Sequence, residues 1–309
     1  GKHRSFGVDA LVAEARRLEA QGTVELNLVA QDLAFFGREF RDGTDLSTLL
    51  RRLLDETSIP WFRLLYIYSA GLREPLVELI ASEDRILPYI DMPIQHASDP
   101  VLERMRRPER RDRLYERITG LRSAIPDLTL RTTVMVGFPG ETEQDFRSLL
   151  DFMEDVEFDR LGAFAFSPQD RTRAADMEEL FVPDDVSASR LEETIAVQRA
   201  ISAGLMQREV GRTREAIVDR CEDDRLIGRT RAQADDVDGT TDLGPASSAQ
   251  PPGTLVEVEI TAAGDFDLEA TIGRVIRDVD PGAGVANPAG AVGRPLPLAT
   301  IGLEGGWGR

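Results

Sequence analysis

Four short polar clusters carry residue types that could bind a small polar molecule: Gln31-Asp32, Ser69 with Arg73, Gln95-His96-Ala97-Ser98, and Gly137-Phe138-Pro139-Gly140-Glu141. Their amides, hydroxyls, imidazole and closely spaced glycines could hold a carboxylate, a sugar or a ring nitrogen. Each also has a plain structural reading. A Gln-Asp pair after a strand is commonly a turn or a helix cap. His96, with His3 one of two histidines, could be a satisfied buried side chain. Ser98-Asp99-Pro100 is a good helix start, with a polar cap and an early proline. In Gly137–Glu141 two glycines flank a proline, which lets backbone amides approach an anion or a sugar closely; the same spacing suits a tight connection. It is neither the G-x-G-x-x-G fingerprint nor a P-loop. With one cysteine, Cys221, the chain can form no internal disulfide, no zinc site from soft ligands alone and no iron–sulfur cluster. Nothing beside Cys221 resembles a reactive-thiol motif, so it reads as structural or incidental.

Apolar periodicity says what positions these clusters. Helical spacing over Val8–Ala20, Asp45–Glu56, Glu74–Ser82, Pro100–Arg106, Arg111–Ala124 and Thr142–Val156 alternates with strand-like runs. Those runs are Val24–Ala30, Phe62–Tyr68, Tyr89–Ile94, Leu128–Val136 and Arg160–Ala165. Repeated βα order implies a parallel sheet with helical crossovers, of α/β class and TIM-like, with the four clusters at the C-terminal ends of its strands. Five strands are expected. The chain opens on a helix, so the first strand of a complete barrel is expected to lie outside it.

After a helix at Ala188–Glu209, shorter strands at Glu215–Arg220, Leu226–Arg231, Thr254–Thr261 and Leu268–Arg277 predict a small antiparallel β-barrel. Gly239–Gly253 reads as a long loop. The organisation is therefore residues 1–205, an incomplete βα barrel; 206–280, the small barrel; and 281–309, a flexible Gly/Ala/Pro-rich tail.

The net charge of −18, with 37 basic residues against 55 acidic, argues against a nucleic acid as the main partner and favours a basic protein; solubility alone could also account for it. Residues 206–280 share the excess, acidic residues outnumbering basic ones nearly two to one. An RNA-binding barrel should be positive. The arginines between Arg104 and Arg113 form the main basic patch, interleaved with Glu103, Glu109 and Asp112, and Asp151–Asp159 reads as a solvated acidic face. No run is long and apolar enough to span a bilayer, and a cytoplasmic protein is expected.

Five strings occur in order: Gly1-Lys2-His3-Arg4-Ser5, Leu28–Asp32 (LVAQD), Tyr89–Ser98 (YIDMPIQHAS), Arg131–Glu141 (RTTVMVGFPGE) with Thr142, and Phe164–Pro168 (FAFSP). Together they resemble the methylthiotransferase family of radical S-adenosylmethionine (SAM) enzymes. Arg229–Gly239 (RTRAQADDVDG) is similar to the start of the TRAM domain that ends such proteins. The opening and the IDMPIQHAS string resemble the branch that acts on a ribosomal protein. That resemblance implies transfer of a methylthio group to the β-carbon of an aspartate in small-subunit ribosomal protein S-twelve. It also implies SAM and two 4Fe–4S clusters in the full-length protein, one held by a C-x-x-x-C-x-x-C loop just before the GKHRS string.

On that reading the cluster ligands lie outside this chain, which by itself is expected to be inactive; SAM cleavage by the reconstituted chain would overturn this. The resemblance implies cofactor contacts at Gln31, Asp32, Ser69, Gln95 and Arg131, with Gly137, Gly140 and Glu141 packed beside the adenine or ribose. Arg131 would hold the SAM carboxylate, which suits its planar fork. His96 and Ser98 would shape the substrate pocket; catalytic residues are not assigned, and no metal ligand is expected. The ribosomal protein would dock on the acidic TRAM-like part, with no membrane involved. Two other readings stay open: a tRNA adenosine methylthiotransferase, and a non-catalytic protein- or RNA-binding module.

Overall fold

The computed structural model describes residues 4–246, 250–278 and 299–302. Helix α1 (Val8–Ala20) leads into strand β1 (Glu25–Val29), followed by α2 (Leu46–Glu56), β2 (Trp61–Leu65), α3 (Glu74–Ser82) and β3 (Ile86–Asp91). Then come α4 (Asp99–Arg104), α5 (Arg111–Ala124), β4 (Thr129–Val136), α6 (Glu143–Val156), β5 (Arg160–Ala165) and the long α7 (Asp184–Gln207). Two of the helices start on a reciprocal side-chain cap. Asp45 and Thr48 form a reciprocal capping box on α2, and Thr142 and Asp145 form another on α6.

Strands β1 to β5 lie side by side in chain order, all parallel. The helices cover the sheet through one apolar core that includes Leu26, Leu28, Phe62, Leu64, Ile90, Leu130, Phe146 and Phe152. Parallel strands buried on both faces read as near-continuous apolar runs, which is why the five runs in the sequence match the five strands.

Three differences from the sequence reading matter. The second run ends at Leu65 rather than Tyr68, because Tyr66 turns into the left-handed backbone region at φ 61°. Within the expected loop Gly239–Gly253, Thr241–Pro245 is a strand, β8, which pairs with its neighbours on both sides. Five residues containing one glycine and one proline give little periodicity, and pairing on both sides supplies the order instead. Ala299–Gly302, inside the stretch expected to be a flexible tail, forms β11, parallel to the outer edge of β1. It makes a sixth strand beside the five expected, since an unpaired edge is a template for any extended segment. Residues 281–298 and 303–309 of that stretch lie outside the described residues.

Strands β6 (Thr213–Glu222), β7 (Arg225–Thr230), β8, β9 (Leu255–Ala263) and β10 (Leu268–Arg277) close into a barrel in the order β10-β8-β7-β6-β9. It packs against the N-terminal ends of the parallel strands through Val24, Trp61, Leu87, Tyr89, Ile217, Ala234 and Leu255. A charged cluster shares this interface. Glu25 accepts hydrogen bonds from Arg63 (Nε to Oε1, 2.6 Å) and Arg229 (Nη1 to Oε2, 2.7 Å), and Arg229 donates two more to Asp219. Burial alone would raise the Glu25 pKa, but Arg63 and Arg229 overcome it and hold the carboxyl below its usual range. Among the described residues no helix is long and apolar enough to cross a membrane.

Candidate active site at the mouth of the parallel sheet

The C-terminal ends of β1, β2, β3 and β4 surround a cavity of about 250 Å³ lined by Gln31, Tyr66, Tyr68, Pro93, Gln95 and Thr133. Two residues of this lining are held in unusual backbone. Tyr66 (φ 61°) and Gln95 (φ 67°) are both left-handed, a conformation that non-glycine residues keep only where the surroundings enforce it. Tyr66 is enforced by its N–H to Asp91 Oδ2 (3.3 Å) and by its carbonyl, which accepts the Leu33 N–H (3.0 Å). Gln95 donates to the Thr133 carbonyl (2.9 Å) and accepts from the Met135 N–H (2.8 Å), so it rides on the edge of β4.

Of the residues singled out in the sequence, Gln31 and Gln95 line this mouth. Asp32 is buried and works locally: it accepts the Ala34 N–H (3.0 Å), capping the turn Leu33–Phe35, and the Tyr68 N–H (3.3 Å). Ser69 opens the turn Ser69–Gly71, and its hydroxyl is 3.2 Å from Glu109 Oε1 in the α4–α5 connection, outside the mouth lining. The two turns lock together, since a Cβ added at Gly71 would stand 1.9 Å from Ala34 Cβ. Gly71→Ala is expected to destabilise the chain by about 2 kcal/mol through overpacking, read as a fall in thermal midpoint. An unchanged midpoint would mean the turns are not packed as described.

His96 and Ser98 lie behind the wall. His96 is fully buried; its Nδ1 accepts the Ser98 N–H (2.9 Å) and its Nε2 is 3.3 Å from Glu141 Oε2. Ser98 donates its hydroxyl to Asp145. Glu141, also buried, accepts the Gly137 N–H (3.0 Å) and Arg190 Nη1 (2.8 Å). Gly137 takes φ 71°, and a Cβ there would meet Ser187 Oγ at 2.3 Å. Gly140 (φ 76°) donates to the Leu180 carbonyl and accepts from Arg104 Nη2. The Gly-Phe-Pro-Gly-Glu turn is thus a buried brace between β4, α4 and α7.

Arg131 sits one layer beneath the mouth. Its Nη1 is 3.0 Å from Asp91 Oδ1 and its Nε is 3.8 Å from Asp238 Oδ1. Burial lowers its pKa, but the neighbouring Asp91, Tyr89 and Asp238 outweigh that and leave it raised. Burial pushes the Asp91 carboxyl up, with Arg131 opposing. Just past β4 and β5, Phe138, Phe166 and Phe181 stack edge to face, and Phe164 is exposed. The sequence reading missed Tyr66, Tyr68, Thr133, Asp91 and Asp238. The two tyrosines carried a signal, alternate positions just past an apolar run, but nothing in the sequence marks a left-handed residue.

Cys221 is exposed, on β6 of the small barrel. Among the described residues no group of three His, Cys, Asp or Glu side chains could hold a metal ion.

The chain matches the Radical SAM superfamily over residues 1–153 and the TRAM domain over residues 210–272. These define the class, a radical SAM domain followed by TRAM. The chain is 45% identical over 272 residues to "Ribosomal protein uS12 methylthiotransferase RimO" of Desulforudis audaxviator, covering 88% of this chain and 60% of that protein. It is 43% identical over 302 residues to the protein of the same name from Anaeromyxobacter sp. strain K, covering 97% and 61%. The chain is similar to these RimO methylthiotransferases, and it spans about three fifths of the length of the curated relatives it matches. Among solved structures it is similar to the radical SAM enzyme HemN of Escherichia coli, with a TM-score of 0.48 and 13% identity, covering 63% of this chain and 46% of that one.

Proposed function

We propose that this chain is the radical SAM and TRAM portion of an enzyme that adds a methylthio group to the β-carbon of an aspartate in ribosomal protein S-twelve. The observation that carries the reading is a polar mouth at the C-terminal end of a parallel sheet, where such folds bind ligands, in a chain with RimO relatives. Amide groups of Gln31 and Gln95, with the Tyr66 and Tyr68 phenols, fit the amino-acid and ribose hydroxyl groups of SAM. SAM, when bound, supplies the methyl group and the radical chemistry. Arg131 sets the charge of the floor beneath it, and the Gly137–Glu141 brace shapes the adjoining wall. Asp32 and Ser69 hold the loops that carry the lining, and His96 and Ser98 support the wall from behind.

The iron–sulfur clusters do not fit this chain's own residues. A cluster takes three or four thiolates, and the single Cys221 stands in the TRAM barrel.

The TRAM surface supports a basic protein substrate over tRNA. Glu222, Asp223, Asp224, Asp236, Glu259, Asp265, Asp267 and Glu269 are exposed, and phosphate repels such a surface while a basic protein is drawn to it. A titration of the chain against purified ribosomal protein S-twelve and against tRNA tests this. At physiological salt we expect saturable binding to the protein that weakens as salt rises, and none to tRNA. Binding to tRNA in preference to the protein overturns the assignment.

A further inference from the structure

The loop between β7 and β8 of the TRAM domain carries Asp238, whose side chain points into the floor of the radical SAM domain and is 2% exposed. Its Oδ2 accepts hydrogen bonds from the Tyr89 hydroxyl (2.7 Å) and from the Ala234 N–H of its own loop (2.8 Å). Its Oδ1 lies 3.8 Å from Arg131 Nε and 4.0 Å from Arg160 Nε. Arg131 and Arg160 are direct partners across β4 and β5. Two like charges opposite one another in a sheet repel, the more strongly where water is excluded. Asp238 is the counter-charge that both of them approach.

The consequence runs upward. Arg131, steadied on its Nε side, gives Nη1 to Asp91 Oδ1 (3.0 Å). Asp91 is buried and uses its other oxygen to accept the N–H of Tyr66, while its carbonyl accepts the N–H of Ile67 (2.9 Å). Tyr66 is the left-handed residue on the mouth lining, and strained backbone persists only while its surroundings over-determine it.

We infer that Asp238 is a positioning residue for the radical SAM mouth, acting through Arg131 and Asp91 on the backbone of Tyr66. Without its charge, Arg160 repels Arg131, Arg131 loosens its hold on Asp91, and Tyr66 loses the acceptor that keeps it left-handed. The mouth is then set only when the TRAM domain is docked. The exposed neighbours Asp236 and Val237 put the outer side of the same loop in reach of a bound partner. The inference deepens the proposed function and rests on its assignment of the mouth, but its test needs neither cofactor nor substrate, so the two can fail separately.

Amide hydrogen exchange of the chain, followed by mass spectrometry on peptides covering 65–69, is the experiment. D238N removes the charge and keeps the shape. We expect exchange at Tyr66 and Ile67 to rise at least five-fold, with peptides of α2 unchanged. Adding R160M removes the repelling guanidinium and is expected to bring that exchange back to within two-fold of wild type. A merely structural Asp238 would loosen residues 231–239 and leave 65–69 alone, and that result overturns the inference, as does a double variant no better protected than D238N. Should D238N not fold, R131K carries the same test: lysine has no second nitrogen to bridge Asp91 and Asp238, so exchange at 65–69 must rise, and unchanged exchange overturns the proposal.

Discussion

Arg229→Ala is expected to lower the stability of the chain by about 3–5 kcal/mol, the range for removing one partner from a buried ion pair. The guanidinium is 2% exposed and bridges Glu25 of β1 to Asp219 of β6. With alanine there, Glu25 keeps Arg63, but Asp219 loses the hydrogen bonds that Arg229 donates to both of its oxygens. The pKa of Asp219 is already pushed up by burial against the pull of Arg229, so an unpaired carboxylate there is costly. Because the Arg229–Glu25 bond crosses between the domains while the Arg229–Asp219 pair lies within the barrel, the loss should appear twice. The first urea midpoint should fall, and unfolding should split into two transitions as the domains uncouple. Arg229→Met, which fills the space without the charge, is expected to recover part of the packing and none of the ionic bridge. A single transition at the wild-type midpoint in Arg229→Ala would show that the two domains do not depend on this cluster.

Glu141→Ala is expected to cost about 3 kcal/mol and to weaken SAM binding as well. The carboxylate joins three elements: the Gly137 N–H after β4, His96 after β3, and Arg190 on α7. Its removal leaves Arg190, which is 8% exposed, with the backbone carbonyl of residue 141 at 3.2 Å and, as its carboxylate, the solvent-facing Glu143 at 3.4 Å. It also removes the acceptor that holds Gly137 in its turn. Glu141→Gln keeps an acceptor for Gly137 but not the charge for Arg190, so a smaller cost of about 1–2 kcal/mol is expected. Thermal unfolding and a SAM titration should therefore rank wild type, Gln, Ala in that order. An alanine variant as stable as the glutamine one would mean that the buried charge is unimportant, and equal SAM affinity in all three would remove the Gly-Phe-Pro-Gly-Glu turn from the site.

The polar face of α7 shows why legibility stops where it does. Its buried positions are Ser187, Arg190, Thr194, Gln198, Ser202 and Met206, so apolar periodicity cannot reveal which side faces inward. What orients it is a set of bonds to distant backbone, such as Gln198 Nε2 to the Phe158 carbonyl and the Ser202 hydroxyl to the Asp265 carbonyl. By contrast α1, α3 and α5 have apolar inward positions, and their observed bounds equal the expected ones.

Among the candidate residues the division is similar. Strand ends are visible in sequence, and the clusters containing Gln31, Gln95 and Gly137 follow β1, β3 and β4 as that reading expects. Which member of each cluster faces the mouth was not visible. Asp32, Ser69, His96 and Ser98 have the same residue types as ligand contacts and turn instead to caps and braces. Arg131 was expected to grip a carboxylate, and the structure pairs it with two carboxylates of the chain itself.

The sequence by itself determined the parallel βα order, the change to a small barrel after α7, the acidic balance and the lack of thiols for a cluster. These follow from local periodicity and from composition, which need no knowledge of distant partners. Only the tertiary structure decided that Tyr66 and Gln95 turn left-handed over the mouth, that β8 and β11 find pairing partners, and that Asp238 reaches Tyr89 across 149 positions of chain. The physical reason is that a strained backbone angle, a ladder partner and a buried counter-charge are each stabilised by groups far away in sequence, and residue type alone carries no record of them.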